Sequence, residues 1–146
     1  MPTVSRQQVS QAVSRLMPNI IRGVQLDFFL KRRITQTQLL VLLALRAYGR
    51  CCMGTLAHNM HVSMPTASGI VDRLVGAGFV RRCPAARDRR QVMVELTEKG
   101  RLYIEAFQNV IRRRWEEVLK TLNSGELNAF YRVITKLRDQ MERRPA

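Results

Sequence analysis

Acidic residues are scarce in this sequence: 11 Asp and Glu stand against 25 Lys and Arg, a formal net charge of +14 over 146 residues. That imbalance lies far outside an ordinary soluble enzyme and points to a polyanionic partner. Long apolar runs are missing too. None reaches the roughly 18 residues of a spanning helix, and the N-terminus lacks the apolar core of a secretory signal. The sequence therefore favours nucleic acid over a membrane, with the cytoplasm as the expected location. Cysteine is limited to Cys51, Cys52 and Cys83, too few for a disulfide framework. His58 and His61 are spaced i, i+3 with no carboxylate or third ligand nearby, so neither a metal nor a cofactor is expected. The phosphate-binding Gly-rich loop, H-E-x-x-H and G-x-S-x-G are all absent, which argues against catalysis and leaves no catalytic residues to name.

What the chain does have is apolar material, 46% of its residues, enough for the core of one domain. Its most informative stretch runs from Ser63 to Gly100. Ala67, Ile70, Val71, Leu74 and Val75 recur at helical spacing and predict one buried helix face. Ser63 supplies an N-cap, Pro65 fits the first turn, and Gly76 or Gly78 can end the helix. The opposite face carries Pro65, Ser68, Gly69 and Asp72, flanked by Met64, Thr66 and Arg73. A face so slim and so poor in charge suits a major groove about 12 Å wide better than bulk solvent. Phe79–Cys83 and Gln91–Leu96 follow as two strand-like runs, the second alternating in the period of a half-buried strand. Between them a long tip, Pro84 to Arg90, projects Arg87, Arg89 and Arg90 with Asp88, and reads as a wing. Arg81 and Arg82 on the first strand are further phosphate contacts on this reading, while Asp72 is expected to hold an arginine rather than read a base.

The flanks are helical. Residues 5–30 show a stripe from Val9 to Val24, with a kink or break expected at about Met17 because Pro18 removes the bond to the Ser14 carbonyl. Thr35 and Gln38 have capping-box spacing and open a leucine-rich helix, apolar nearly all round and hence expected to be buried, which Gly49 ends. Leu56, Ala57 and Met60 mark a short helix joined by a tight link to the helix after Ser63, a helix-turn-helix. Thr97 caps a long helix reaching Leu122, and Asn123 with Glu126 opens a last one. The terminal stripes exceed what a small head covers and predict contact with a second copy of the chain.

From Ile34 to Phe107 the chain resembles the MarR family of winged-helix transcription regulators. ITQTQLLVLLAL is similar to the helix before the reading head, VSMPTASGIVDRLVGAGFVRR to the recognition helix and first wing strand, and DRRQVMVELTEKG to the signature D-x-R…LT-x-x-G. The expected fold is mainly α with a small β wing. It is read as a single MarR-type domain over 1–146, with the winged head at about 34–97 and dimerisation helices at about 5–30 and 98–143. The resemblance implies that Pro65, Thr66, Ser68 and Gly69, next to Ser63, enter the major groove, that Arg90 enters the minor groove, and that Asp88 orients the wing by pairing with an arginine. Arg73, Arg87 and Arg89 are read as phosphate contacts. It also implies a homodimer on double-stranded DNA, acting as a repressor at an inverted repeat and modulated by a small aromatic ligand. A ligand pocket is expected where the first helix, the leucine-rich helix and the head meet, near Phe28, Phe29, Tyr48 and His58. Two alternatives stand beside this reading. One is a thiol-based redox sensor using Cys52, at a helix start where the family often has Ser or Thr, with Cys51 or Cys83. The other is an architectural winged-helix protein without a defined operator.

Overall fold

The computed structural model describes residues 4–29, 34–88 and 90–142. Helix α1 (Arg6–Phe28) is followed by α2 (Gln36–Tyr48), strand β1 (Cys51–Cys52), α3 (Met53–Asn59), α4 (Met64–Gly76), β2 (Val80–Pro84), β3 (Val92–Leu96), α5 (Glu98–Leu119) and α6 (Ser124–Glu142). The chain divides into two compact units, Met1–Val110 and Ile111–Ala146. The fold is thus mainly helical with one small sheet.

Helix starts follow local chemistry. The Thr35 hydroxyl accepts the Gln38 N–H at 3.2 Å while the Gln38 side chain accepts the Thr35 N–H at 2.9 Å, the reciprocal pair read from the sequence. Asn123 and Glu126 repeat it at the entry to α6. Ser5 and Gln8 form a third such pair before α1, which the sequence reading passed over. At the other end of α2, Gly49 turns the chain with φ 73°. Helix α1 continues through Pro18 without the break expected there. The proline lies on the exposed part of the helix, where water can satisfy the freed carbonyl, and Ile20, Val24 and Phe28 anchor the part beyond it.

The first unit packs α2, α3 and α4 against one face of an antiparallel sheet of order β1-β3-β2. Cys51 and Arg82 both pair with Val94, and Val80 pairs with Leu96, so the inward face is set by Cys51, Val80, Val94 and Leu96. The outward face carries Cys52, Met93 and Cys83 in one row and Arg81 with Glu95 in the next. Phe28 is fully buried and meets Phe29, Tyr103 and Phe107 edge-on at 5.0–5.5 Å, which ties the end of α1 to the start of α5. Helix α2 is less enclosed than its composition suggests: Leu40 and Tyr48 stay exposed on the side that faces away from this core. In the second unit, Trp115 and Phe130 hold the end of α5 to α6.

Candidate nucleic-acid interface

Helix α4 buries Ala67, Ile70, Val71 and Leu74, and this burial decides which side chains it shows to solvent. Ser63 Oγ accepts the Thr66 N–H at 3.3 Å and also contacts the Thr66 hydroxyl at 2.8 Å, so the helix entry is fixed locally. Ser63, Pro65, Thr66 and Arg73 are exposed, together with Met64 and Asp72, while Ser68 and Gly69 are half-buried. At Gly69 an added Cβ would meet nothing within 4 Å. The fold itself therefore has no use for a glycine there. The turn leading into α4 holds His61 at φ 52°, a left-handed conformation unusual for a residue with a side chain.

The wing is the β2–β3 hairpin. Its tip closes through Ala85 N–H to the Gln91 carbonyl and Gln91 N–H to the Asp88 carbonyl, both 3.0 Å. Asp88 Oδ1 accepts the Arg90 N–H at 2.9 Å. This aspartate acts on the wing through the backbone that carries Arg90, and among the described residues no guanidinium pairs with it. Arg87 and Arg90 are exposed and have no carboxylate partner among the described residues, whereas Arg89 lies outside them. The strand arginines differ. Arg82 is 2.7 Å from Asp72 of α4, which is the arginine-holding role expected of that aspartate. Arg81 and Arg50 share Glu95, at 2.6 and 3.1 Å. The Arg81 hydrogen bond, with the charges of Arg81 and Arg50, holds the Glu95 carboxyl below the usual carboxylate range. Two guanidiniums at the wing tip, those of Arg87 and Arg90, are thus left without a carboxylate partner among the described residues, unlike those of the strands. Arg50, Arg81 and Glu95 were not legible as a linked set in the sequence, because they pair between elements.

The four residues named for a pocket are not gathered together. Phe28 is core, Phe29 packs half-buried beside it, and Tyr48 and His58 are exposed. A cavity of about 320 Å³ lies instead between the end of α2, β3 and α5, lined by Leu45, Arg46, Gly49, Arg50, Glu95, Leu96, Arg101 and Glu105.

The cysteines have distinct surroundings. Burial pushes the Cys51 thiol up, helped by Cys52 next to it. Cys52 is half-buried at the start of α3, and the Thr55 hydroxyl 3.1 Å from its sulfur lowers its pKa. Cys52 and Cys83 flank Met93 from opposite strands, which sets their Cα atoms about 10 Å apart, two strand spacings. A disulfide needs about 4.4–6.8 Å, so these two cannot bridge within one chain without strand movement. No group of metal-binding side chains occurs among the described residues, and no helix among them is long and apolar enough to cross a membrane.

Comparison with known proteins agrees with this geometry. Residues 34–92 match the MarR family. Over 110 residues the chain is 34% identical to the HTH-type transcriptional repressor NicR of Pseudomonas putida, covering 75% of this chain and 70% of that protein. Its fold is similar to the transcriptional regulator Tm0710 from Thermotoga maritima, with TM-score 0.82 at 22% identity over 94% of this chain and 96% of that one. It is also similar to a MepR variant of S. aureus bound to an oligodeoxyribonucleotide, with TM-score 0.68 at 18% identity over 95% and 99%. A capped reading helix followed by an arginine-tipped hairpin defines a winged helix-turn-helix DNA-binding regulator. The chain belongs to the MarR family, whose members regulate transcription and are not enzymes.

Proposed function

We propose that two copies of this chain bind an inverted-repeat operator and repress transcription. The observation that carries this reading is the contrast between the paired arginines of the strands and the exposed Arg87 and Arg90 of the tip, which have no carboxylate partner among the described residues. In this reading Ser63, Pro65, Thr66, Ser68 and Gly69 approach base edges, Arg73, Arg87 and Arg89 meet phosphates, and Arg90 enters the minor groove. Residues of about 34–97 act as the head, and residues 5–30 and 98–143 act in dimerisation. Two exposed apolar stripes support a second copy: Val9, Val13, Leu16, Met17 and Ile21 on α1, and Leu127, Tyr131, Ile134, Leu137 and Met141 on α6. NicR, the relative described above, is itself named a repressor. The 320 Å³ cavity supports modulation by a small aromatic ligand, with Leu45 and Leu96 available to the ring among its otherwise largely charged lining. The protein works in the cytoplasm, where its DNA is.

The test is to recover bound duplexes from fragmented genomic DNA and compare them with scrambled duplexes at one fixed salt concentration. A regulator binds the recovered sites on the order of 10³-fold or more tightly. A ratio near one would leave an architectural protein instead. At the recovered site, Arg90→Ala is expected to weaken binding by about 1–3 kcal/mol.

A further inference from the structure

The exit of α4 is three successive residues, Ala77, Gly78 and Phe79, and the carbonyl of each is held by the entry to α5. Lys99 Nζ donates to the Ala77 carbonyl at 2.7 Å. The Thr97 hydroxyl donates to the Gly78 carbonyl at 2.6 Å, and the Thr97 N–H to the Phe79 carbonyl at 3.0 Å. Gly100 lets the two segments come this close, because a Cβ there would collide with the Phe79 carbonyl oxygen. Ala77 is the C-cap of α4, and Gly78 follows at φ 77°. The Lys99 ammonium also lies 4.8 Å from the centroid of the Phe79 ring.

We propose that Lys99 is a positioning residue for DNA reading: by tying its ammonium to the C-cap carbonyl of α4, it fixes how the reading helix sits on the head. A cation at a helix C-terminus is favoured by the aligned peptide dipoles, and the Phe79 face gives the same ammonium a second attachment. The Thr97 bonds act one and two residues beyond the cap, where they hold the turn; Lys99 alone of the three contacts reaches the helix cap itself. A reading surface must be held to within about 0.5 Å of its working geometry by such supporting contacts. Lys99 is exposed, so the competing role is a direct phosphate contact, and the two roles predict different salt behaviour.

The proposal rests on the operator-reading role given above, and its test is built so that the two can fail separately. Lys99→Met and Lys99→Arg are compared with the parent protein on a duplex recovered from genomic fragments and on a scrambled duplex of equal length, over a range of salt. Lys99→Met is expected to lose about fivefold or more in the ratio of the two affinities, with the slope of log K against log salt unchanged. Lys99→Arg restores the ratio to within about twofold, since it keeps the charge and the donor. An equal loss on both duplexes with a slope shallower by about one unit would make Lys99 a phosphate contact and overturn the proposal. An unchanged ratio would overturn it as well. Hydrogen exchange supplies an arm without DNA: amides of Gly76–Phe79 exchange faster in Lys99→Met while those of α2 do not. Equal protection in both segments, or loss of protection throughout, rejects the clamp. If the parent protein shows no preference between duplexes, the operator reading fails while the exchange arm still tests the clamp.

Discussion

A glycine inside a helix gives up roughly 0.5–1 kcal/mol relative to alanine, and at Gly69 the fold offers nothing in return, since the space around it is open. Close approach by another molecule is what would justify it. Gly69→Ala is therefore expected to raise the thermal midpoint by about 1–4 °C and at the same time weaken binding to a recovered site. A rise in stability with undiminished affinity would remove Gly69 from the reading surface. Cys51 and Cys52 offer a second contrast between neighbours. Burial keeps the Cys51 thiol protonated, and the Thr55 hydroxyl favours the Cys52 thiolate. Alkylation by iodoacetamide near neutral pH, read by peptide mass, should label Cys52 well before Cys51; equal rates would show that the Thr55 contact does not govern reactivity. The roughly 10 Å between Cys52 and Cys83 Cα atoms directs any oxidation of this pair toward an external thiol rather than toward each other.

The elements differ in how plainly the sequence announces them. Thr35 with Gln38 and Asn123 with Glu126 were legible because a capping box is written within four consecutive residues. The α4 face and the β3 alternation were legible because one side of each is buried at a regular period. Strand β1 was not, since two residues carry no period; it exists because Cys51 and Cys52 find partners on β3. The pocket reading failed to gather its residues for a related reason. The observed cavity joins the end of α2 to α5, segments linked by a bond from Arg46 to Gln108 across 62 positions of sequence. Glu95 belongs to the same kind of long-range order: it joins Arg81 of β2 to Arg50 before β1 and so braces the outer face of the wing's base. Its carboxyl is held below the usual range. A depressed carboxyl contributes stability that is present above its unfolded value, about 4.3, and is lost as pH falls through the folded value. The difference in thermal midpoint between the parent protein and Glu95→Gln should accordingly shrink as pH is lowered below about 4.5. A difference independent of pH would mean that the carboxylate charge is not what Glu95 contributes.

At the scale of the whole molecule, charge and apolar surface point to the same arrangement. Before Asp72 the sequence contains one acidic residue, Asp27, against eight Lys and Arg, so half of the +14 lies in the first half of the chain almost uncancelled. In the dimer proposed above the charge would double to +28 and two wings would reach one duplex. Each phosphate neutralised releases condensed counterions, so the slope of log K against log salt scales with the number of contacts, about −0.9 per phosphate on duplex DNA. Dimerisation can therefore be read from DNA binding as well as from mass. Ile134 and Leu137 lie on the exposed stripe of α6, so paired aspartates there leave the first unit's core untouched. The double substitution Ile134→Asp with Leu137→Asp should sediment as a monomer at micromolar concentration while keeping its helical circular dichroism. Its salt slope should then fall to about half that of the parent protein, because one head reaches half the phosphates. A monomer by sedimentation that retained the full slope would show that a single head makes all the contacts. A parent protein already monomeric would leave the α1 and α6 stripes to some other partner.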